Sequence, residues 1–380
     1  MLHFLFWFSF ILLFYIYFGY PILVALLAGR KPLNVVDQNL PAVSILIPAF
    51  NEQATIVDTL RNKAALNYPP DKLEILVVSD SSEDDTDKLV EEFAESCAIS
   101  VRLFRQNPRA GKTSGLNMIV PESTGEIIAF SDANSLWDKD ALMYLVSGFS
   151  DPDVGYVTGK MVYTNPDGSL VGDGCSAYMK YENWLREKET GVGSIVGVDG
   201  GIDAMRRSLY QPLRADQLPD FVQPLKVVES GYRVVYEERA VLKEDALSDD
   251  DSEYRMRVRV SLRAMWALKD MIGLFNPVRY GLFSWQLVSH KLLRYLAFIP
   301  MLILLVLNPL FLADGGLYVL LCVAQLAFYL LACAGYKGML GNLGILKTPY
   351  YFLLINIAAA QAFLKFCRGE KQVIWTPRVG

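Results

Sequence analysis

An uncharged apolar segment at the start of the chain is the feature that most restricts its fold. Residues Leu2 to Gly29 include no Lys, Arg, Asp or Glu, and a helix of that length can cross the hydrocarbon core of a bilayer. The segment lacks the basic start and the short apolar core of a cleaved signal peptide. Arg30 and Lys31 follow it directly, so the positive-inside rule predicts that the next domain lies in the cytoplasm.

Further apolar segments lie beyond about residue 285. Leu296–Leu312 and Leu317–Gly335 are predicted to form a hairpin whose acidic connection, "ADGG", lies outside. Tyr350–Phe366 is marginal in length, and if it crossed the membrane the basic tail would lie outside, so we favour an interfacial or re-entrant segment with a cytoplasmic tail. Residues 270–292 mix aromatic and basic side chains, which is typical of a helix lying in the interface.

Composition excludes several functional classes for the part between these segments. The net charge of −5 gives no basic surface for nucleic acid. The two histidines lie in or beside apolar segments, which argues against a His-ligated zinc site or a Ser-His triad. The five cysteines form no CxxC pair, so they indicate packing residues in a reducing compartment.

Residues 43–133 alternate between strand-like and helix-like patterns. Four apolar strand segments, 43–50, 73–80, 100–106 and 126–133, are separated by segments with helical periodicity. This order predicts an α/β fold with a doubly wound parallel sheet. Ligands bind such sheets outside the carboxyl ends of the strands, and Asp80 and Asp132 both occur at strand ends.

Common nucleotide and calcium motifs are not supported in this region. The first strand is followed by neither GxGxxG nor GxxxxGK[ST]. Residues 80–91 carry acids at some EF-hand positions, but the glycine of the sixth position is missing and the segment follows a strand. The function of the two strand-end acids must therefore come from another pattern.

Seven short motifs in order resemble the membrane-bound inverting glycosyltransferases of family 2, the group of cellulose, chitin and hyaluronan synthases and bacterial exopolysaccharide transferases. The motifs cover roughly residues 40–270 and read "SILIPAFNE", "ILVVSDSSEDDT", "RAGKTSGLN", "IIAFSDANS", "VDGGIDAMRR", "LPDFVQPLKVVESGYRVVYE" and "RVRVSLRAMW". The resemblance implies a GT-A-type, parallel-dominated sheet with helices on both faces, plus N- and C-terminal transmembrane helices.

The resemblance also implies a domain order. It gives a transmembrane helix at 1–30, a cytoplasmic GT-A catalytic domain at 40–250, basic and interfacial helices at 251–292, transmembrane or interfacial helices at 293–367 and a basic, cytoplasmic tail at 368–380.

Three residues match the nucleotide-sugar positions of the family. Glu52 and Asp80 would accept hydrogen bonds from the uridine part of a UDP-sugar, and Lys112 would lie near the nucleotide, with Asn117 a weaker candidate. Two simpler interpretations stay open. Glu52 could be an acid at a helix N-terminus, and Lys112 could be a solvated surface lysine.

Asp132 matches the first acid of the family's DxD motif, which would bind Mg²⁺ or Mn²⁺ bridging the diphosphate. Asn134 replaces the second acid. Its amide oxygen can still ligate a hard cation but adds no negative charge, so we expect Asp132 and the nucleotide to hold most of the metal. A strand-end turn residue is the alternative for Asp132.

Asp220 matches the general base that an inverting transferase needs to deprotonate its acceptor. Pro219 stands where many relatives have an acid, and Asp216 is a second, weaker candidate. The small residues Gly200 and Gly201 would line the acceptor side.

Two further acids of the same motif are interpreted differently. We interpret Asp199 and Asp203 as local turn acids.

The last motif departs from the family's QxxRW because it has no Gln. Arg255, Arg259, Arg263 and Trp266 would share one helix face. Arg263 could clamp the diphosphate, with Trp266 as a floor for the acceptor sugar and Arg259 a weaker candidate. The alternative is a basic helix that contacts anionic lipid headgroups.

The family resemblance implies transfer of a sugar from a UDP-sugar to a glycan or lipid-linked glycan at the inner (plasma) membrane. Membrane lipid and polysaccharide-export or synthase proteins are the expected partners, and nucleic acid is not. Two alternatives stay open: a polyprenyl-phosphate glycosyltransferase, and a non-catalytic nucleotide-sugar-binding assembly partner.

Overall fold

A computed structural model describes residues 1–29, 40–164, 174–245, 250–336 and 348–372. Its strands are β1 (Val43–Ala49), β2 (Leu73–Ser79), β3 (Ser100–Arg105), β4 (Ile127–Phe130), β5 (Leu136–Trp137), β6 (Val154–Thr164), β7 (Asp203–Arg206) and β8 (Arg233–Asp245). Its helices are α1 (Leu2–Phe14), α2 (Tyr20–Leu27), α3 (Ile56–Ala64), α4 (Thr86–Ser96), α5 (Lys112–Ile119), α6 (Ala141–Ser147), α7 (Gly174–Val192), α8 (Pro219–Glu229), α9 (Asp250–Asp270), α10 (Pro277–Tyr280), α11 (Leu282–Gln286), α12 (Leu293–Tyr295), α13 (Phe298–Leu307), α14 (Gly316–Tyr336) and α15 (Thr348–Cys367).

The chain divides into two compact units. The helical unit comprises Met1–Leu27, Asp167–Leu185 and Ala246–Lys371, and the sheet unit comprises Ala28–Pro166 and Arg186–Asp245. The boundary falls inside α7. The sequence predicted one continuous domain over 40–250, and its boundaries stay a prediction.

The sheet unit is built on one mixed, eight-stranded sheet in the order β3-β2-β1-β4-β7-β6-β8-β5. β3, β2, β1 and β4 are parallel to one another, and β6 is parallel to β8. β7 is antiparallel to both β4 and β6, and β5 is antiparallel to β8. The predicted α/β class with a mostly parallel sheet is confirmed.

Burial explains why the first strands are continuous apolar runs. Ile45, Leu46 and Ile47 in β1 have no exposed surface, and neither do Ile75 and Leu76 in β2. A parallel strand covered on both faces has no solvent side, so its sequence does not alternate. α5 packs on β1 and β2, and α4 packs on β3.

Among the described residues of the helical unit, three helices are long and apolar enough to cross a membrane. They are Leu2–Leu27, in which α1 and α2 are joined by a π-helical turn, then Gly316–Tyr336 and Thr348–Cys367. The third covers the segment predicted to be interfacial or re-entrant, and at 1.5 Å per residue its 20 residues extend about 30 Å. Length and composition thus allow it to cross, as the first two do.

The first C-terminal span, predicted over Leu296–Leu312, belongs to a bent pair of helices. Leu282–Tyr295 and Phe298–Asp314 meet at an angle of 54° and together could form a fourth span. Pro300 explains the break, because it cannot donate the hydrogen bond to the carbonyl of Leu296 and its ring crowds that carbonyl. The backbone of Leu296 is no longer helical, with ψ near 2°.

The expected interfacial helix over 270–292 is divided into short pieces. A 3₁₀ turn at Ile272–Phe275 is followed by α10 and, after Gly281, by α11. Ile272 and Val278 are 70% and 95% exposed. The apolar exposure fits a membrane surface, although one continuous helix was the wrong expectation.

Candidate active site

Three predicted acids follow neighbouring parallel strands of the sheet unit. Glu52 comes after β1, Asp80 directly after β2 and Asp132 two residues after β4. β1 pairs with both β2 and β4, so these acids emerge at the same edge of the sheet. The topology therefore brings together three acids that the sequence showed only as separate motifs along the chain.

Asp80 is held by the loop that follows β3. Its carboxylate is buried and accepts hydrogen bonds from the backbone N–H groups of Ala110, at 2.8 Å, and Gly111, at 3.0 Å. The Gln106 side chain also donates to it, and Arg109 Nε lies 3.4 Å from Oδ2. The acid is fixed before any ligand arrives, and the sequence analysis missed both Gln106 and Arg109.

Arg109 also stacks on an aromatic ring. Its guanidinium carbon lies 3.4 Å from the centre of the Phe50 ring, at the end of β1. A planar cation on a buried ring, beside Asp80, gives a flat polar surface of the kind that planar heterocycles contact. Both residues lie in motifs quoted above, "SILIPAFNE" and "RAGKTSGLN". Nothing in the sequence, however, indicated that the two side chains contact each other.

Glu52 lies in a loop that is tied to the loop after β2. Its backbone N–H donates to Thr86 Oγ1 at 2.8 Å, and its carboxylate accepts from Thr55 Oγ1 at 2.8 Å. The Glu83 N–H donates to Asn51 Oδ1 across the same two loops. Glu52 thus precedes α3 as the helix-start interpretation requires, and it also stands at the sheet edge that the nucleotide interpretation requires.

Lys112 connects two acids that are far apart in the sequence. Its Nζ lies 2.8 Å from Asp132 Oδ1 and 3.2 Å from Asp220 Oδ2. Burial alone would lower the pKa of Lys112, but the two carboxylates raise it, so the side chain is an ammonium. The solvated-lysine interpretation does not fit this geometry. Lys112 instead contacts both the predicted metal ligand, Asp132, and the predicted general base, Asp220.

Gly200 and Gly201 form a bare backbone wall beside these acids. Their φ angles are +81° and +75°, in the left-handed region that favours glycine. A Cβ on Gly200 would lie 3.0 Å from Asp220 Oδ2, and one on Gly201 would lie 3.3 Å from Asp132 Oδ2. Trp137 Nε1 donates to the Gly201 carbonyl at 2.8 Å and fixes the wall.

Asp199 and Asp203 are not the local turn acids that the sequence analysis expected. Asp199 pairs with Arg186 through both carboxylate oxygens. Asp203 begins β7 and is fully buried between β4 and β6. Burial raises the pKa of Asp203 well above its ordinary value, and the charges of Asp220 and Asp199 raise it further.

A buried lysine supports the turn that carries Asp132. Lys63 has no exposed surface, and its Nζ donates to the Ser135 carbonyl at 2.5 Å and to Asn62 Oδ1 at 3.0 Å. The same nitrogen lies 4.6 Å from the centre of the Trp137 ring. Burial lowers the pKa of Lys63 well below its ordinary value, against the charge of Asp132.

Two of the three weaker candidates, Asn117 and Asp216, have other partners. Asn117 donates to the Leu213 carbonyl at 2.6 Å and accepts from Tyr210 at 2.8 Å, so it fastens a loop to α5. Asp216 pairs with Arg214 at 3.1 Å. Neither candidate contacts Lys112, Asp132 or Asp220 through these bonds.

Arg263 and Trp266 lie on α9, which belongs to the helical unit. Trp266 Nε1 donates to the Glu370 carbonyl at 2.8 Å, and its ring packs against Phe366 with centroids 4.7 Å apart. α9 packs along α15 through a cluster that includes Leu262. The assignment of Arg263 and Trp266 to a substrate site stays a prediction.

The residues around Asp132 fit a metal that is shared with a substrate. Among the described residues, no group of three or more His, Cys, Asp or Glu side chains could hold a metal ion. Asp132 and the half-buried Asn134 offer one carboxylate and one amide, and the wall at Gly201 leaves space beside them. Mg²⁺ commonly takes one or two carboxylates and completes its shell with water and phosphate oxygens.

Comparison with known proteins gives a family for part of the chain. The model of glycosyl transferase family 2 matches residues 44–213. Similar curated proteins include the probable glycosyltransferase YdaM of Bacillus subtilis (strain 168), 36% identical over 183 residues, which are 46% of this chain and 43% of that protein. The beta-monoglucosyldiacylglycerol synthase of Trichormus variabilis (strain ATCC 29413 / PCC 7937) is 32% identical over 44% of this chain and 36% of its own length.

A third relative extends the aligned region. The poly-beta-1,6-N-acetyl-D-glucosamine synthase of Staphylococcus aureus (strain COL) is 28% identical over 60% of this chain and 55% of its own length. The chain thus spans about half the length, or less, of these curated relatives.

A solved structure shares the fold over nearly the whole chain. It is the mannosyltransferase PcManGT from Pyrobaculum calidifontis, in complex with GDP-Man and Mn²⁺. The two are 23% identical with a TM-score of 0.74, and the match covers 97% of this chain and 100% of that one. The likeness establishes a common fold.

Proposed function

From the premise that residues 44–213 are a family 2 glycosyltransferase domain, we propose that this chain is a membrane-bound inverting hexosyltransferase. It moves a sugar from a nucleotide diphosphate sugar to a hydroxyl of a growing or lipid-linked polysaccharide. The observation that carries the proposal is Lys112, which binds both Asp132 and Asp220 at the edge of the sheet.

Asp220 acts as the general base. It lies in the first turn of α8, where the helix dipole favours a negative charge, and Lys112 fixes its Oδ2. A carboxylate held there takes the proton of the acceptor hydroxyl as that oxygen attacks the anomeric carbon from the face opposite the leaving diphosphate. Gly200 keeps the space beside Asp220 open for the acceptor.

Asp80 and Glu52 bind the nucleoside, with Arg109 beside them on Phe50. Because Asp80 is fixed by backbone N–H groups, it offers ordered acceptor oxygens to the N–H or O–H groups of a nucleoside. We propose UDP-sugar as the donor. PcManGT was solved with GDP-Man, so GDP-mannose is the competing donor to test.

A divalent cation, Mg²⁺ or Mn²⁺, would be held by Asp132 and Asn134. When bound, it neutralises charge on the leaving diphosphate. Lys112 adds positive charge at the same place, which the chain supplies by itself. The presence of Mn²⁺ in the PcManGT structure supports the choice of metal.

A donor panel tests the proposed reaction. We would incubate the purified full-length chain with UDP-sugars and GDP-mannose, each with Mg²⁺ or Mn²⁺, and detect the released nucleoside diphosphate. Asp220→Asn should lower turnover by about 10²- to 10⁴-fold, the usual contribution of a general base. Asp216→Asn is the matched control, because that acid pairs with Arg214. Unchanged polysaccharide output in cells carrying Asp220→Asn would instead favour the non-catalytic assembly partner.

The chemical class of the acceptor is the second property of the reaction to be tested. Among the relatives, one is named for a glycolipid product and another for a polysaccharide, so both acceptor classes support a hydroxyl acceptor. A polyprenyl-phosphate acceptor needs no aromatic floor for a sugar. Loss of transfer in Trp266→Ala with intact nucleotide binding would argue against it.

The proposed location is the inner membrane, with several crossings and the catalytic domain in the cytoplasm. The three apolar helices fit a membrane protein, and Arg30 and Lys31 support the cytoplasmic side. Labelling of single cysteines from outside the cell tests it. A cysteine placed at Glu187 should stay unlabelled, and one placed at Gly315 should react.

A further inference from the structure

One helix holds the segment that carries Asp132 and Asn134. This segment, the Asp132 turn (residues 132–137), is closed by a hydrogen bond of 3.2 Å from the Ser135 N–H to the Asp132 carbonyl. Three other carbonyls of the turn accept hydrogen bonds from side chains of α3: Ala133 from Thr59 Oγ1 at 2.7 Å, Ser135 from Lys63 Nζ at 2.5 Å and Trp137 from Asn62 Nδ2 at 2.9 Å. α3 therefore fixes alternate carbonyls of the turn.

The three donors occupy one face of α3. Thr59, Asn62 and Lys63 are separated by three and four positions, so their side chains lie side by side on the helix. Thr59 and Lys63 have no exposed surface, and α3 contacts β5 at the end of the turn. This face is therefore closed to solvent and packs against the turn.

Lys63 is a costly residue for such a place. The contacts described for its Nζ are all to neutral groups: the Ser135 carbonyl, the Asn62 amide oxygen and the Trp137 ring. A buried lysine without an adjacent carboxylate costs free energy, either to desolvate its charge or to lose its proton. A Leu or Met would fill the same space without that cost. Stability of the core therefore does not by itself account for a lysine here.

Trp137 extends the support to the glycine wall. Its ring centre lies 4.6 Å from Lys63 Nζ, and its backbone N–H donates to Asn62 Oδ1 at 2.8 Å. Its Nε1 donates to the Gly201 carbonyl at 2.8 Å, and the side chain is buried. The same face of α3 thus supports both the turn with the predicted metal ligands and the wall at Gly201.

A metal site is sensitive to support of this kind. Mg²⁺ takes near-ideal octahedral geometry, with oxygens at about 2.0–2.1 Å. Asp132 and Asn134 are separated by one residue, so the backbone of the turn decides whether their two oxygens face one point. Groups that orient metal ligands from behind typically contribute about 10- to 100-fold in metal affinity or activity.

We propose that Lys63 and Thr59 are positioning residues for the predicted metal site. They hold the carbonyls of Ser135 and Ala133, on either side of Asn134, and so keep the side chains of Asn134 and Asp132 directed at one cation. Neither positioning residue touches the cation or the substrate. The inference rests on the proposed function, because it needs a metal that Asp132 and Asn134 bind.

Removal of the lysine donors tests the inference. Lys63→Met keeps the length and the apolar packing of the side chain. Mn²⁺ would be titrated into the purified full-length chain with UDP and, separately, with GDP, and free Mn²⁺ followed by electron paramagnetic resonance. The affinity for Mn²⁺ should fall about 10- to 100-fold. The thermal midpoint should change little, because the lost hydrogen bonds are offset by removal of a costly buried group. Mn²⁺ affinity equal to that of wild type would overturn the inference.

Turnover gives a second readout. If Lys63 acts through the metal ligands, excess metal should compensate for its loss. The KM for Mn²⁺ should rise in Lys63→Met by about 10- to 100-fold, whereas kcat at saturating Mn²⁺ should fall much less. The same excess should not restore Asp132→Ala. A fall in the kcat of Lys63→Met that excess Mn²⁺ leaves uncorrected would contradict a positioning role.

Thr59 offers a pair of variants that differ in one hydroxyl. Thr59→Val keeps the shape of the side chain and removes the donor to the Ala133 carbonyl, whereas Thr59→Ser keeps the donor. The first should weaken Mn²⁺ binding about 2- to 10-fold, the net contribution of one hydrogen bond, and the second should bind as wild type does. This pair decides the matter if Lys63→Met does not fold.

Ser44→Ala is the matched control. Ser44 is fully buried near the start of β1, at the end of the sheet opposite the site, and its hydroxyl donates to Glu74 at 2.6 Å. Its loss should lower the thermal midpoint and leave the affinity for Mn²⁺ unchanged. Equal loss of Mn²⁺ affinity in Ser44→Ala and Thr59→Val would indicate a general loosening of the sheet unit and would overturn the inference.

Positioning and sugar transfer can fail separately. Wild type that binds Mn²⁺ with a nucleotide but transfers no sugar would remove the proposed function and leave the positioning role. Metal-dependent transfer, with Mn²⁺ affinity unchanged in both Lys63→Met and Thr59→Val, would remove the positioning role alone. Wild type that binds no Mn²⁺ with either nucleotide would remove the metal site and this inference with it.

Discussion

The two units each contain a cluster of three ionisable groups, and the clusters have opposite composition. In the sheet unit a single ammonium, Lys112, lies between Asp132 and Asp220. Two carboxylates against one cation leave this cluster with a negative surplus. It is therefore suited to receive a cation, such as a metal that arrives with a diphosphate.

In the helical unit a single carboxylate, Glu182, lies between His290 and Arg294. Burial would raise the pKa of Glu182, but the two bases hold it well below its ordinary value, so the acid is ionised. The cluster therefore centres on a buried ion pair that ties α7 to the helix Leu282–Tyr295.

The clusters also differ in exposure, which separates a working site from a structural one. The side chains of Lys112, Asp132 and Asp220 are 21%, 39% and 23% exposed, whereas Glu182 is 4% exposed. Partners can exchange at the first cluster when a ligand arrives. The second cluster is closed, so removal of its acid affects the fold before it affects any ligand.

After Asp220→Asn, the largest expected effect also comes from the open cluster. Asp132→Ala should lower turnover by about 10²- to 10³-fold, because it removes the carboxylate that holds a cation at the diphosphate. Initial rates at several Mg²⁺ and Mn²⁺ concentrations would measure it. Lys112 would keep Asp220 as a partner, so the thermal midpoint should change little.

Asn134 gives the matched comparison two residues later. Asn134→Asp should retain transfer and tighten metal binding, because it adds a second carboxylate to the site. Asn134→Ala should lose less activity than Asp132→Ala. If the two alanine variants were equally damaged, the account of one dominant carboxylate would be wrong.

The closed cluster should respond through stability. Glu182→Gln leaves His290 and Arg294 without their shared acid, and loss of one partner from a buried ion pair costs about 3–5 kcal/mol of unfolding free energy. Thermal unfolding in detergent would show a lower midpoint. Glu187→Gln is the control, because that acid is half exposed and pairs only with its neighbour Lys188 among the contacts described. A Glu182→Gln protein as stable as the control would show that the two clusters do not differ as proposed.

The smallest effect on activity should come from Asp203→Asn. Burial raises the pKa of Asp203 and so favours its neutral form, and an amide of the same shape resembles that form. A raised pKa stabilises the fold fully below the unfolded value, about 3.9, and that stability is lost as the pH rises towards the folded value. The wild type should therefore lose stability relative to the variant as the pH rises from about 4 towards neutral.

Thermal midpoints of both proteins across that range would measure the difference. The control is Asp199→Asn, which removes the partner of Arg186 and should destabilise the protein at neutral pH. A constant difference between wild type and Asp203→Asn would mean that Asp203 is ionised in the folded protein.

The strand-end acids could be predicted from the sequence because each follows a buried run that only a parallel strand explains. Asp80 and Asp132 occupy the expected edge. Lys112 was expected near the nucleotide, but its bond to Asp220, 108 residues away, depends on how α5 and α8 pack in three dimensions. Sequence spacing carries no signal for such a contact.

Two other features that the sequence analysis did not predict did have a signal in the sequence. Asp203 follows two glycines and resembles a turn acid, yet β7 is inserted between β4 and β6, and antiparallel insertions do not follow the β-α rhythm. Pro300 was present in the apolar segment predicted over Leu296–Leu312, and it lies just after a bend that the sequence analysis did not predict.

The two left-handed glycines have a consequence for engineering. Replacing Gly200 would add backbone strain of about 1–2 kcal/mol and bring a methyl group to 3.0 Å from the oxygen of Asp220. A library that randomises this wall should therefore return glycine at both positions among its active members. A designer who wants to change which acceptor is used must alter side chains elsewhere, because these two positions have no space for a side chain.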